Sequence, residues 1–303
     1  MKRITSVLEV IRARRSVRHF SDREVERDII TKLEEWLEKY GPGYFKTGPK
    51  FRIIKASDND REKLNGIISY GIIRGAKNFI VGRTKKNLRA FEDFGYVLQH
   101  VILECTALGI GTCWIGGTFS KSRVKQLIEL EPDEHIPAII AIGYPSENRD
   151  LKERMMRKCV HGDVRKPWRE LFFADNLFVP ILAETPPDPQ AYDMALEMLR
   201  WGPSASNHQP WRVVKDERNG AYHFFVRRNS GIIYKILHSI LQVGNIQSID
   251  MGIAMCHFEL AAKELGLPGQ WQNSPPAWIS DLPDNIEYVI SWMTNDQRER
   301  ECR

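Results

Sequence analysis

The feature that most constrains the fold of this chain is an internal repeat. The triplet Asp93-Phe-Gly95 returns as Asp250-Met-Gly252, 157 residues later, and both copies lie in long stretches with apolar residues at helical spacing. The same offset relates two further pairs, Leu108-Gly109 with Leu265-Gly266 and Trp114 with Trp271. Because paired motifs in constant order and spacing are not expected by chance, the sequence predicts two related halves. Each half has one long buried helix, over residues 91–109 and 248–265.

A second repeated unit precedes the long helix in each half. Gly41-Pro42 and Gly202-Pro203, 161 residues apart, each end a helix, because proline lacks an N–H and disfavours a helical residue before it. A loop then leads into a strand that begins near Phe51 in one half and near Trp211 in the other. We therefore predict that the halves pack as a pseudo-dimer with near two-fold symmetry.

The other segments predict an α+β fold with an antiparallel-rich sheet wrapped by helices in each half. Residues 121–130 predict a short helix and residues 135–144 a single core strand. The charged segment 146–166 is typical of a solvated loop, and the proline-rich residues 180–190 mark a boundary. We expect the first half to span residues 1–175 and the second 176–303.

Composition excludes several classes of protein. The 303 residues are 42% hydrophobic and 27% charged, with a net charge of +5, which is typical of a folded protein rather than a disordered chain or a polycation. No apolar run approaches the roughly 20 residues of a membrane helix, and no apolar signal-peptide core is present, so we expect a cytoplasmic protein. The five cysteines are scattered without a Cys-x-x-Cys pair, which argues against a zinc or iron–sulfur site.

The polar loop Trp201–Trp211 is the richest candidate site in the second half. Its short hydroxyl and amide side chains can bond a flat polar ligand, whereas the corresponding first-half loop, residues 43–48, has lost them. Such a composition is also typical of a plain turn rich in capping residues. A partner motif in the other half favours the functional interpretation.

That partner motif is a cluster of basic residues near the start of the chain: Arg14, Arg15, Ser16 and Arg18. Guanidinium groups form paired hydrogen bonds with phosphate, although a basic helix end that complements the helix dipole is an equally good interpretation of the motif alone. Gly116-Gly117 would let backbone N–H groups approach a ligand closely. Because the second half lacks an arginine cluster and the first lacks a polar loop, we predict one working site shared by the halves.

Together these motifs resemble the FMN-dependent nitroreductase superfamily. The resemblance rests on Arg14–Phe20, Trp114–Gly117, Ile142–Pro145 and Pro203–Trp211, together with the Asp-x-Gly helix and its Leu-Gly exit, and it covers most of residues 5–275. Ordinary members form homodimers with FMN at the subunit interface. This chain resembles a fused, single-chain form, for which the family implies a three-layer α-β-α fold and one flavin.

The resemblance implies a role for each candidate residue. The basic cluster (Arg14, Arg15, Ser16, Arg18) would hold the phosphate and ribityl end of FMN, and Arg165 and Lys166 would add phosphate contacts. The second-half loop would cover the flavin with Pro203, Ser204, Ala205, Ser206, Asn207 and Gln209. Ile115, Gly116 and Gly117 would place backbone amides near the reactive edge of the ring.

The implied reaction needs no protein nucleophile: hydride passes from NADH or NADPH to the flavin, and electrons pass on to a small nitro- or quinone-like acceptor. A dehalogenase-like or flavin-processing member remains open, as does a non-catalytic flavin-binding protein of the same fold. We expect a small-molecule substrate and no nucleic-acid or membrane partner. A monomer or a loose homodimer fits halves that already mimic the family dimer.

Overall fold

The structure is a computed structural model that describes residues 4–55, 73–117, 119–146, 164–182, 192–229 and 246–294. Its helices are α1 (Val7–Ala13), α2 (Arg27–Tyr40), α3 (Ala90–Ala107), α4 (Lys121–Lys125), α5 (Trp168–Leu171), α6 (Tyr192–Arg200) and α7 (Ile246–Glu264). Its strands are β1 (Lys50–Lys55), β2 (Asn78–Lys85), β3 (Gly111–Ile115), β4 (Glu134–His135), β5 (Ile139–Gly143), β6 (Phe172–Ala174), β7 (Trp211–Asp216), β8 (Ala221–Arg227), β9 (Gly269–Gln272) and β10 (Ile286–Thr294). None of these helices is long and apolar enough to cross a membrane.

The strands form two sheets of five, one for each half. The first has the order β1-β2-β5-β3, with β4 paired to β2, and all its pairs are antiparallel. The second has the order β6-β7-β8-β10-β9 and is antiparallel except for the parallel pair β6–β7. The predicted antiparallel-rich α+β architecture is therefore present. Strand β6, within the predicted first half, lies in the second sheet, and the boundary at residue 175 remains a prediction.

The two long helices cross in backbone contact at the repeated glycines. A Cβ added to Gly95 would lie 2.1 Å from the carbonyl oxygen of Ile249, and one added to Gly252 would lie 1.8 Å from that of Glu92. The repeat offset relates Gly95 to Gly252 and Glu92 to Ile249, so the two contacts exchange under two-fold symmetry. The glycine of each Asp-x-Gly triplet is thus required by the close approach of α3 and α7.

The core continues outward from this crossing in three clusters. One packs α6 and α7 against the second sheet, another packs α2 and α3 against the first sheet, and a third covers the outer face of the first sheet. Helix α1 joins the cluster of the second half through Val10 and Ile11. The N-terminal segment therefore bridges the halves, which brings the basic cluster toward the second-half loop.

Two local predictions were wrong. Residues 135–144 form two strands rather than one, because Pro137 lies between them and cannot donate to a sheet ladder. Helix α4 ends at Lys125 instead of continuing to Leu130, and residues beyond it form turns. Most of the charged segment 146–166 and most of the boundary segment 180–190 lie outside the described residues.

Candidate functional site

A cavity of about 260 Å³ lies between the two halves. Its first-half wall consists of Ser16, Arg18, Trp114, Ile115, Gly116, Gly117 and Ala138. Its second-half wall consists of Pro203, Ser204, Ala205, Ser206, Ile246, Ile249, Asp250 and Ile253. Nine of the fifteen predicted site residues line this cavity, and the other six do not. Its volume is close to the lower end of the roughly 300–1,000 Å³ usual for small-molecule sites.

The N-terminal basic segment reaches the cavity as a short extended stretch beside β3. Ser16 bridges Thr112, and the Val17 N–H donates to the Thr112 carbonyl over 2.9 Å. Side chains in extended backbone alternate between faces. Val17 is accordingly buried in the core, while Ser16 and Arg18 line the cavity. The sequence pattern Ser-Val-Arg thus positions one hydroxyl and one guanidinium on the same wall.

The end of β3 supplies the closest backbone approach to the cavity. Ile115 is the last strand residue, and Gly116 and Gly117 continue the chain along the cavity wall. A Cβ at Gly116 would lie 2.6 Å from the Cδ1 of Ile246 on α7. Side chains larger than hydrogen would therefore fill the space between the first-half wall and the start of α7.

The second-half loop closes the cavity with a strained backbone. Ser206, Asn207 and Gln209 have φ values of 49°, 56° and 48°, in the left-handed region that non-glycine residues rarely adopt. Such conformations persist where the surroundings hold them, and they are concentrated at binding sites. Here the Ser204 hydroxyl accepts from the Gln209 N–H at 2.8 Å, which ties the two ends of the loop together.

Asn207 and Gln209 stabilise the loop from outside the cavity. The Asn207 side-chain amide donates to the carbonyl of Val164 at 2.9 Å, and the Gln209 side chain accepts from the Lys166 N–H at 2.9 Å. Gln209 is buried, and neither residue is among those that line the cavity. The two amides therefore join the loop to the segment that carries Arg165, rather than facing the cavity themselves.

The other predicted cationic residues do not line the cavity. Arg165 lies over the ring of Trp201 at 5.3 Å and donates to the Trp201 carbonyl at 3.3 Å. Burial lowers the pKa of His257 in α7 to about 3, and the positive charges of Arg14 and Arg165 both contribute. These two guanidinium groups therefore lie within electrostatic reach of one histidine. Arg15 is exposed, between the half-buried Arg14 and Ser16.

A directed chain of hydrogen bonds fixes Trp114 in the cavity wall. Its indole N–H donates to Gln99 Oε1 at 3.2 Å, and the Gln99 amide lies 2.8 Å from His257 Nε2. His257 Nδ1 lies 2.9 Å from the carbonyl of Met198, an acceptor, so Nδ1 carries the proton and Nε2 accepts from Gln99. The low pKa of His257 is consistent with this neutral form. This chain of hydrogen bonds, the Gln99–His257 relay, connects Trp114 in the cavity wall to α3, α7 and α6.

Tyrosine hydroxyls bond to the backbone at the position that two-fold symmetry relates to this cavity. The repeat offset relates Gly117 to Ser274, whose backbone N–H donates to the Tyr288 hydroxyl at 3.0 Å. The Tyr44 hydroxyl of the first-half loop donates to the carbonyl of Trp271 at 2.7 Å, and Arg89 donates to the Tyr288 carbonyl at 2.7 Å. Two tyrosine hydroxyls thus occupy one backbone donor and one backbone acceptor at this position.

Sequence reasoning did not assign six of the residues that line the cavity to the site: Trp114, Ala138, Ile246, Ile249, Asp250 and Ile253. Trp114 and Asp250 had been used only as markers of the repeat and of the family resemblance. The signal for Asp250 was present, because it is the first charged residue of a long helix and is followed by six residues without charge. Within the described residues, no group of three or more His, Cys, Asp or Glu side chains could hold a metal ion.

Comparison with known proteins gives the same picture. The profile of a family described as "Putative TM nitroreductase" matches residues 6–262. A "Putative NADH dehydrogenase/NAD(P)H nitroreductase" of Methanothermobacter thermautotrophicus is 31% identical over 157 residues, which are 48% of this chain and 82% of that relative. One of the same description from Archaeoglobus fulgidus is 25% identical over 156 residues, 48% of this chain and 89% of its own length. These relatives match about half of this chain, as expected for a chain with two parts.

One solved structure matches along nearly the whole chain. A nitroreductase-type protein of Thermotoga maritima has a TM-score of 0.58 and 21% identity, with 96% of this chain and 94% of that chain covered. At this identity the likeness establishes the fold alone. It confirms the predicted nitroreductase-like architecture.

Proposed function

This chain belongs to the nitroreductase family, and we propose that it is an FMN-dependent oxidoreductase with one flavin in the cavity between its halves. The reductant would be NADH or NADPH, and the acceptor a small aromatic compound of the nitro or quinone type. The name of the Methanothermobacter relative supports the choice of nicotinamide reductant. Because the halves already supply both sides of the site, a monomer is sufficient for activity.

The observation that carries the proposal is one cavity whose two walls come from complementary motifs. The first half contributes a hydroxyl and a cation at Ser16 and Arg18, and the second contributes the strained loop Pro203–Ser206. FMN is a planar ring with a polar edge and an anionic tail, and these groups match its chemistry. Asp250 Oδ2, buried in this cavity and without a hydrogen-bond partner, is a further sign that a polar ligand belongs there.

Each set of residues has a distinct task toward such a ligand. Arg18 would neutralise negative charge on the ring or ribityl chain, while Arg14 and Arg165 would receive the phosphate. The backbone at Gly116-Gly117 would approach the ring edge, which only residues without a Cβ allow. The loop Pro203–Ser206 would cover the cofactor and exclude water.

The bound cofactor would supply hydride and electron transfer, for which amino-acid side chains have no equivalent. The protein's own contribution is then orientation. Trp114 is held by the Gln99–His257 relay, and Ile246, Ile249 and Ile253 present one apolar face of α7 to the cavity. A rigid, largely apolar floor keeps a planar ring in one position for reaction with a stacked substrate.

The proposal is tested by reconstituting the purified chain with FMN and adding NADH or NADPH under anaerobic conditions. We expect bound flavin absorbance that bleaches faster than that of free FMN. Arg18→Ala should weaken FMN binding by roughly tenfold or more, because a charge-assisted hydrogen bond is lost. Arg27→Ala is the matched control, since Arg27 is exposed at the start of α2 and outside the cavity.

Two results would count against the proposal. Absence of both flavin absorbance and a thermal shift with FMN would exclude a flavoprotein. Bleaching of bound flavin no faster than that of free flavin would instead indicate a non-catalytic flavin-binding protein.

A further inference from the structure

Asp250 has an unusual environment on the floor of the cavity. Its side chain is 3% exposed, and its Oδ1 accepts a hydrogen bond from the Ala205 N–H at 3.0 Å. Its Oδ2 is buried and has no hydrogen-bond partner. A buried oxygen without a partner is costly, and the open side of its surroundings is the cavity that Asp250 lines.

The repeat provides an internal reference for this residue. Asp93 occupies the equivalent position on α3, and its two oxygens accept from the Phe45 N–H, the Thr47 N–H and the Thr47 hydroxyl at 2.8–2.9 Å. Both carboxylate oxygens of Asp93 therefore hold the first-half loop by hydrogen bonds. Asp250 accepts only one hydrogen bond from its own loop, from the Ala205 N–H, and its Oδ2 has no partner. The unpartnered oxygen thus occurs in the half whose loop closes the cavity.

Few charges oppose or favour ionisation of Asp250. The neighbouring elements carry Arg18 in the same cavity and the buried Asp93 of α3, whose oxygens are bonded by the first-half loop. They also carry three pairs whose members bond each other: Arg89 with Glu92, Arg200 with Glu197, and Arg228 with Glu287. Burial raises the pKa of Asp250 to about 8, and the Ala205 amide is too weak to offset it. Near neutral pH the side chain is thus a carboxylic acid, with an O–H donor.

We propose that Asp250 is a neutral carboxylic acid whose Oδ2 hydroxyl donates a hydrogen bond to a carbonyl oxygen or ring nitrogen of the planar ligand in this cavity. Ionisation replaces the donor with a negative acceptor, so the ligand binds more weakly to the ionised form. Asp250 is a binding and positioning residue in this scheme, with no proton transfer. The identification of the ligand as a flavin rests on the proposed function, since FMN presents such acceptors on its ring.

The test measures FMN affinity by flavin fluorescence from pH 6 to pH 10 for four proteins. In the wild type, the dissociation constant should rise about tenfold per pH unit above pH 8, as linkage to one ionisation requires. Asp250→Asn keeps a neutral donor of the same shape, so it should bind within about threefold of wild type at pH 7 and lack this dependence. Asp250→Ala should bind roughly 3–10-fold more weakly at pH 7, because one hydrogen bond is lost.

Asp93→Asn is the matched control at the pseudo-symmetric position. It replaces one oxygen acceptor of the first-half loop with an amide donor, so it should lower the thermal stability and leave the pH profile of FMN affinity as in wild type. Ionisation of FMN itself affects all four proteins equally and is removed by comparison with Asp250→Asn. Parallel pH profiles for wild type and Asp250→Asn, or wild-type affinity in Asp250→Ala, would overturn the proposal.

An infrared measurement on the ligand-free protein separates this proposal from the proposed function. The C=O stretch of a protonated carboxylic acid should be present at pH 7, vanish above pH 9, and be missing in Asp250→Asn. Failure of the wild type to bind FMN would contradict the flavin function, while the band would still support the neutral acid. Absence of the band in the wild type would overturn the inference, whether or not FMN binds.

Discussion

The close crossing of α3 and α7 predicts that Gly252→Ala destabilises the protein. The added Cβ would lie 1.8 Å from the Glu92 carbonyl oxygen and 2.6 Å from the Tyr96 nitrogen, whereas ordinary contact begins at 3.4 Å. Both neighbours are backbone atoms and cannot rotate away, so the helices must separate by about 1.5 Å. Overpacking of this kind lowers stability by roughly 3 kcal/mol, the upper end of its usual range. Alanine favours the helix over glycine by about 1 kcal/mol, which offsets part of that loss. We expect a net loss of about 2 kcal/mol.

Thermal and chemical denaturation measure this loss, which corresponds to a fall in Tm of roughly 4–8 °C for a chain of this size. Gly95→Ala should behave alike, since its Cβ would lie 2.1 Å from the Ile249 carbonyl oxygen. Thr106→Ala, on the half-buried side of α3, is the control and should change stability by no more than about 0.5 kcal/mol. An unchanged or raised Tm in Gly252→Ala would refute the backbone contact.

Three further perturbations probe the site. Trp114→Phe leaves the buried Gln99 acceptor without its indole donor, and the free energy of unfolding in urea should fall by about 1–3 kcal/mol; no change would contradict the relay. Asn207→Ala removes the bond to the Val164 carbonyl and should weaken FMN binding roughly 3–10-fold by calorimetry; an unchanged affinity would contradict a role for this bond in holding the loop. Asp250→Asn should be increasingly more stable than wild type as pH rises from about 4 to 8. In this pH range the folded wild type retains a proton that the unfolded chain releases. The free energy of unfolding of the wild type therefore falls by up to about 1.4 kcal/mol per pH unit. A constant difference across that range would contradict the raised pKa.

Much of the fold could be predicted because the repeated motifs contain glycine and proline, which have strict backbone requirements. The repeated Asp-x-Gly triplets indicated one long buried helix in each half, and the structure shows that Gly95 and Gly252 allow these two helices to cross in backbone contact. Segments without such residues were less predictable. The division of residues 135–144 into two strands depended on Pro137, which was visible in the sequence but was outweighed by the apolar run around it.

The candidate site was predictable in composition but not in orientation. Sequence identified Ser16 and Arg18 within the basic cluster, yet only the extended pairing of Ser16 with Thr112 determines which side chains of the cluster line the cavity. Asn207 was expected to face the ligand, and the structure places its amide against Val164 instead. The functional role of Asp250 depended on which hydrogen bonds its loop fails to supply, and this is a property of tertiary structure.

The number of flavins bound per chain tests the central claim most directly. We predict one FMN per 303-residue chain, because the cavity between the halves combines Arg18 with the polar loop, whereas Tyr44 and Tyr288 bond to the protein's own backbone at the symmetry-related position. Calorimetric titration of the ligand-free protein, checked by flavin absorbance after gel filtration, gives this number. A stoichiometry of one would support a single site built from both halves. Two flavins per chain, or none, would contradict it.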